Sequence, residues 1–208
     1  MVQFIQAQNI GIAYLEERFS LEQTDSEAFF PEWWEHLPEI SDLEKQYLDR
    51  VKFHFLRLVK HPPLSEETVK LVVLSPLLSL AGFYDEPFLI RSESSIEIAV
   101  EDAEELIRDR IDVLIIQQQL WLLVIESKKT AFSLAQAIPQ ALTYLLANPH
   151  PDYPVYSLVI NGEDFQFIKL LQKDQPRYAL SDRFTLYRRE NELYQVFRIL
   201  KKLSQILN

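Results

Sequence analysis

Arg108-Asp-Arg-Ile-Asp-Val-Leu-Ile-Ile-Gln-Gln-Gln-Leu-Trp-Leu-Leu-Val-Ile-Glu-Ser-Lys-Lys129 consists of two apolar runs around a polar break. The runs, Ile111 to Ile116 and Leu120 to Ile125, are too short for ordinary helices and rich in Val and Ile. They read as two buried strands joined by a hairpin turn over Gln117 to Gln119. With the turn centred on Gln119, Asp112 lies opposite Glu126. Opposite residues of an antiparallel pair share a face, with Cβ atoms about 5 Å apart. Lys128, two residues on from Glu126, joins that face. Neighbouring carboxylates repel, and a buried unpaired charge is costly. Either Lys128 or a bound divalent cation must offset them, and hard cations such as Mg²⁺ favour one or two carboxylates plus waters. An ordinary ion pair at a strand end is the competing reading. The joint pattern of Asp, a hairpin's length, then Glu-x-Lys favours the metal. A slip of one residue would put the two acids on opposite faces, so the turn decides the matter.

Outward from the hairpin, the N-terminal side carries helix signals. Ile12, Leu15, Phe19 and Leu21 suggest a short helix ending near Ser20. Phe29, Phe30, Trp33 and Trp34 form an aromatic cluster that caps a core or docks a partner, the core being favoured. Ser41-Asp-Leu-Glu44 is a capping box opening a helix that Pro62 and Pro63 stop. A second helix starts at Ser65 and ends at Gly82, with Pro76 predicting a kink or two pieces. Phe88 to Arg91 and Ser95 to Val100 read as short strands, followed by an acidic turn from Glu101 to Glu105.

Beyond the hairpin, a helix with Ser133 as candidate N-cap contains Pro139, so it starts near that proline or kinks. Gln136, Gln140 and Tyr144 share one face of it. Val155 to Ile160 and Phe165 to Leu171 read as strands around an Asn161-Gly162 hairpin turn. Another short strand is expected within Tyr178 to Tyr187. Asn191 to Leu207 is an amphipathic helix with Leu193, Val196, Phe197, Leu200, Leu203 and Ile206 as its stripe. The order of elements predicts an α/β fold with a mixed central sheet and helices on both faces.

The chain has 208 residues, 48% hydrophobic and 25% charged, which is one soluble domain or one domain with an appendage. The expected division is a helical extension over 1–60 packed on a core over 61–208, the whole a single compact unit. There is no cysteine, which excludes thiolate metal sites and suits a cytoplasmic location. No signal peptide is expected, and no apolar stretch reaches the roughly 18 residues of a membrane span. Three glycines exclude phosphate-cradling Gly-rich loops. A net charge of -10 argues against a generally basic nucleic-acid surface, leaving room for a local patch or a partner that supplies the grip.

On these residues the chain resembles the PD-(D/E)xK nuclease superfamily, with its restriction-endonuclease-like fold. Asp112 and Glu126-Ser127-Lys128 match the Asp and (Asp/Glu)-x-Lys of that family's motif. Gln140 and Tyr144 match the Gln-x-x-x-Tyr of the branch that holds the N-terminal nuclease domain of type I restriction motor subunits. The runs Ser75 to Phe83, Arg110 to Leu114 and Ile125 to Lys129 are similar to small stand-alone cyanobacterial relatives. Asp109 stands where relatives often carry glycine, and Pro139 is unusual beside Gln140.

The resemblance implies an Mg²⁺-dependent deoxyribonuclease of restriction or defence type, with Mn²⁺ as a substitute. Asp112, Glu126 and the Ser127 carbonyl would hold the metal, and Glu66, or Glu67 beside it, would complete the site. Lys128 would serve the attacking water. Gln140, Tyr144, Arg110 and Lys129, together with Arg108, would contact DNA. A homodimer and a protein partner supplying DNA affinity fit the same picture. The alternative is a non-catalytic or partner-dependent binding and assembly module that keeps the nuclease fold.

Overall fold

A computed structural model describes residues 3–61, 64–100, 105–117, 120–128, 130 and 132–206. Its centre is an eight-stranded mixed sheet. The strands are β1 (Gln3–Ile5), β2 (Glu22–Gln23), β3 (Leu89–Val100), β4 (Glu105–Gln117), β5 (Leu120–Ser127), β6 (Val155–Ile160), β7 (Asp164–Leu171) and β8 (Arg177–Thr185). The order is β1-β4-β5-β6-β7-β8-β2, with β3 also paired to β4. Pairs β1–β4, β5–β6 and β2–β8 are parallel, and the others antiparallel. Parallel neighbours need a crossover, and between β5 and β6 it is helix α5 (Leu134–Leu146).

Helices cover both faces, as the order of elements predicts. One core joins α2 (Asp42–Leu58), α3 (Glu66–Val69), α4 (Ser75–Leu80) and α6 (Leu193–Ile206) to Ile115, Leu123, Ile125, Tyr156 and Leu158 of the sheet. The other joins α1 (Ile12–Phe19) and α5 to Leu114, Ile116, Val124 and Val159. Alternate residues of β5 thus serve opposite cores, the signature of a strand buried on both faces. Residues before 61 supply strands at both ends of the sheet as well as helices.

Local signals placed several boundaries. The Ser41 hydroxyl accepts from the Glu44 N–H at 3.3 Å, and the Glu44 carboxylate accepts from the Ser41 N–H at 2.5 Å, so the capping box forms. Helix α1 stops at Ser20, which takes a left-handed φ of 50°. Phe30 is buried against Tyr156, while Trp34 stays exposed, so most of the aromatic cluster belongs to the core. Ile206, expected in the α6 stripe, is exposed in the last turn of the helix.

Other elements differ from the prediction. The two short strands near residues 88 and 95 are one twelve-residue strand, and β4 begins at Glu105, six residues before its apolar run. Their polar outer halves are held by cross-strand pairs such as Glu97 and Arg108, whose side chains meet at 2.8 Å. Nothing in hydrophobic periodicity reports that. Of the expected turn over 101–105, Glu105 opens β4 instead and 101–104 lie outside the described residues. The helix between Ser65 and Gly82 is in two α-helical pieces, as Pro76 predicts, but the break lies before the proline, which sits in the first turn of α4. A π-helical turn over Lys70–Leu74 precedes it, closed by the Ser75 N–H bonding to the Lys70 carbonyl. Helix α5 runs through Pro139 rather than starting there.

The connection from β6 to β7 rests on Asn161, whose side-chain oxygen accepts from the Glu163 and Asp164 N–H groups at 3.0 and 2.8 Å. Gly162 has φ +86°, and a Cβ there would lie 2.7 Å from Phe55 Cε2 and 3.0 Å from Val69 Cγ2. Both strain and collision oppose any side chain. Gly162→Ala is expected to destabilise the protein by about 2–4 kcal/mol in urea unfolding. A loss below about 1 kcal/mol would mean that the helix pair yields freely.

Candidate active site

The hairpin register near the acids is the expected one. Val113 pairs with Ile125 and Leu114 with Val124, which brings Asp112 to the level of Glu126. The tip is shifted by one residue through a bulge after Ile115, so the turn is not centred as predicted, yet the base is unaffected. Pairing stops at Val113. The Asp112 carboxylate accepts instead from the Ser127 N–H, at 2.7 Å.

Strand β4 is distorted here. Ile111 and Leu114 both enter the α5-side core, while Val113 packs on the other, so the two-residue alternation breaks at Asp112. On β3, Ser92 pairs with Val113 and Ser94 with Ile111, and Glu93 between them has a left-handed φ of 52°. On its other edge, β4 pairs with β1 over Glu105 to Ile107 and with β5 from Val113 onward. Residues 108–112 between them have no strand partner on that edge among the described residues. Arg108, Asp109, Arg110 and Asp112 all fall in this gap.

Each acid has its own lysine. Lys70 Nζ, from the π-helical turn, donates to Asp112 Oδ1 at 2.6 Å. Burial works against the Lys70 charge, but the hydrogen bond and charge of Asp112 outweigh it and hold its pKa above the ordinary lysine value. Lys128 Nζ pairs with Glu126 Oε1 and sits 5.7 Å from the Phe132 ring. The Lys128 N–H is fixed to the Ile160 carbonyl at 2.7 Å. Glu126 is 2% exposed, and its Oε2 is buried with no hydrogen-bond partner among the described residues. Burial pushes its pKa up to about 8, against the downward pull of Lys128 and with a smaller push from Asp112.

An orphaned carboxylate oxygen beside a second carboxylate fits a hard cation, which takes oxygen ligands. The third acid does not converge. Among the described residues no three His, Cys, Asp or Glu side chains form a metal-holding group. Glu66, half-buried and one turn before Lys70, acts on the Lys70 charge rather than joining Asp112 and Glu126. Glu67 is exposed at the helix start, where its own backbone N–H and Ser65 lower its pKa.

Gln140 and Tyr144, expected to contact DNA, are both buried. Tyr144 is fully buried, Gln140 is 7% exposed, and Gln140 Nε2 donates to the Tyr144 hydroxyl at 2.5 Å. Their shared helix face turns inward because α5 lies flat on the sheet. Burial, then the Glu126 charge, pushes the Tyr144 phenol far up. Arg110 is exposed and lines an open groove of about 560 Å³ with Glu93, Ser95, Glu97 and Arg108. Arg108 is tied to Glu97 and lies 4.5 Å over the Phe4 ring. Lys129 lies outside the described residues. Sequence reading missed Lys70, Glu93 and Asp109. The last has a buried oxygen without a partner. The only local trace of Lys70 is its place four residues after Glu66.

The family model described as the type I restriction enzyme R protein N terminus matches residues 28–176. No curated protein sequence matches the chain. Among solved structures, a fragment described as an HsdR subunit of a type I restriction enzyme from Vibrio vulnificus YJ016 is similar at 18% identity and a TM-score of 0.41. The match covers 59% of this chain and 24% of that one, so the chain spans about a quarter of the solved relative's length.

Proposed function

The chain belongs to the family of type I restriction enzyme R protein N termini, and from that premise we propose that it is a metal-dependent endonuclease hydrolysing phosphodiester bonds of DNA. One observation carries the reading: Asp112, Glu126 and Lys128 meet at the base of one hairpin, with an oxygen of the buried glutamate left unpartnered. Asp112, Glu126 and the Ser127 carbonyl would hold Mg²⁺, or Mn²⁺ in its place. Bound there, the ion supplies an acidified water and neutralises charge on the phosphate oxygens. Lys128, anchored through its backbone, presents its ammonium to the attacking water and to the developing charge. Gln140 and Tyr144 back the Glu126 carboxylate instead of meeting DNA. Arg108 and Arg110, exposed within the gap, would meet the phosphate backbone. With a net charge of -10, we assign most of the DNA affinity to partner subunits of a restriction complex.

A second reading, a non-catalytic assembly module, draws on the lysine already seated on each acid. Cleavage of supercoiled plasmid and of single-stranded DNA, with Mg²⁺ or Mn²⁺, separates the two. Cutting that needs metal and disappears in Asp112→Ala is the expected result. No cutting, or cutting that survives Asp112→Ala, transfers the assignment to a partner-dependent or non-catalytic assembly module.

A further inference from the structure

Each acid at the hairpin base already carries an ammonium group, Lys70 on Asp112 and Lys128 on Glu126. A dication that binds the two acids is repelled by both ammonium groups at close range. Its entry requires that one of them withdraw. Lys128 is the more confined: its side chain is 14% exposed, its backbone is fixed to Ile160, and its partner Glu126 is 2% exposed. Lys70 is 23% exposed and has a second acceptor, Glu93 Oε1, at 3.9 Å. That carboxylate is 58% exposed and is carried by a residue held at φ 52°, a conformation that a non-glycine residue adopts only when its surroundings impose it. Val69 and Val73 are fully buried on either side of Lys70, so the helix itself is fixed while the lysine side chain can move.

Resting on the metal-dependent reading above, we propose that Lys70 is the internal counter-cation of Asp112. It holds the carboxylate in the metal-free protein and yields it to a divalent cation by moving onto Glu93. The lysine thereby sets the affinity of the site for metal. It is a positioning residue contributed by the π-helical turn, outside the hairpin motif.

The test is calorimetric titration of Mn²⁺ into the full chain and its variants. Lys70→Met is expected to bind Mn²⁺ roughly tenfold more tightly or better, since the competing charge is gone. Lys70→Arg, which keeps the charge, is expected to stay near wild type, and Asp112→Asn to lose binding. Equal or weaker binding by Lys70→Met, with binding lost in Asp112→Asn, overturns the role of Lys70 and leaves the metal site standing. Wild-type binding by Asp112→Asn, or no binding by any variant, overturns the metal reading and this proposal with it. Should the methionine variant fail to fold, Lys70→Gln is titrated in its place against the same two criteria.

Discussion

Lys128→Ala is expected to lower metal-dependent cleavage by about 10²–10⁴-fold and to move the surviving activity to higher pH. Two effects of one ammonium are removed. The first is its direct work on the attacking water and the charged phosphate. The second is its hold on Glu126, whose carboxyl burial pushes up to about 8 even while Lys128 pulls it down. Without the lysine the carboxyl rises further, so Glu126 becomes a carboxylate, and thus a metal ligand, only at more alkaline pH. Lys128→Arg keeps a cation at the same place and should keep the wild-type pH profile at reduced rate. Profiles of cleavage rate from pH 6 to 10 for the three proteins decide the matter. An alanine variant with undiminished rate and an unmoved profile would remove Lys128 from the site.

The metal-free protein is expected to lose stability as pH rises from about 5 to about 8. The sign follows from proton counting. The folded-state pKa of Glu126 is about 8, above its ordinary 4.5. Between these values the folded protein keeps a proton that the unfolded chain has released, so stability falls as pH rises through the window. The stabilisation is complete below the ordinary value and is gone above about 8. Its size is on the order of 5 kcal/mol, at about 1.4 kcal/mol for each pH unit. Glu126→Gln removes the group and should flatten this slope, while other acids, such as Glu44 with its Lys201 partner, act alike in both proteins. Urea unfolding in chelator at several pH values gives the difference. Parallel curves for wild type and Glu126→Gln would mean that the carboxylate is not held in a poorly solvated place.

The sequence by itself determined what short-range chemistry controls. The Ser41 capping box, the Asn161-Gly162 turn, the stripe of α6 and the two strands of the central hairpin rest on residues within a few positions of each other. The level of Asp112 with Glu126 came out as read only because a bulge after Ile115 absorbs the one-residue offset of the tip, and no local signal reports that bulge. The mixed sheet with helices on both faces followed from the order of elements. Only the tertiary structure decided how the site is built. Lys70 reaches Asp112 across 42 residues of chain, and the π-helical turn that aims it has no sequence period. Gln140 and Tyr144 share a helix face by spacing alone, but whether that face meets DNA or the sheet depends on how α5 packs, and it packs inward. The polar halves of β3 and β4 are strands because each supplies the other's hydrogen bonds, a property of the pair that neither segment carries alone.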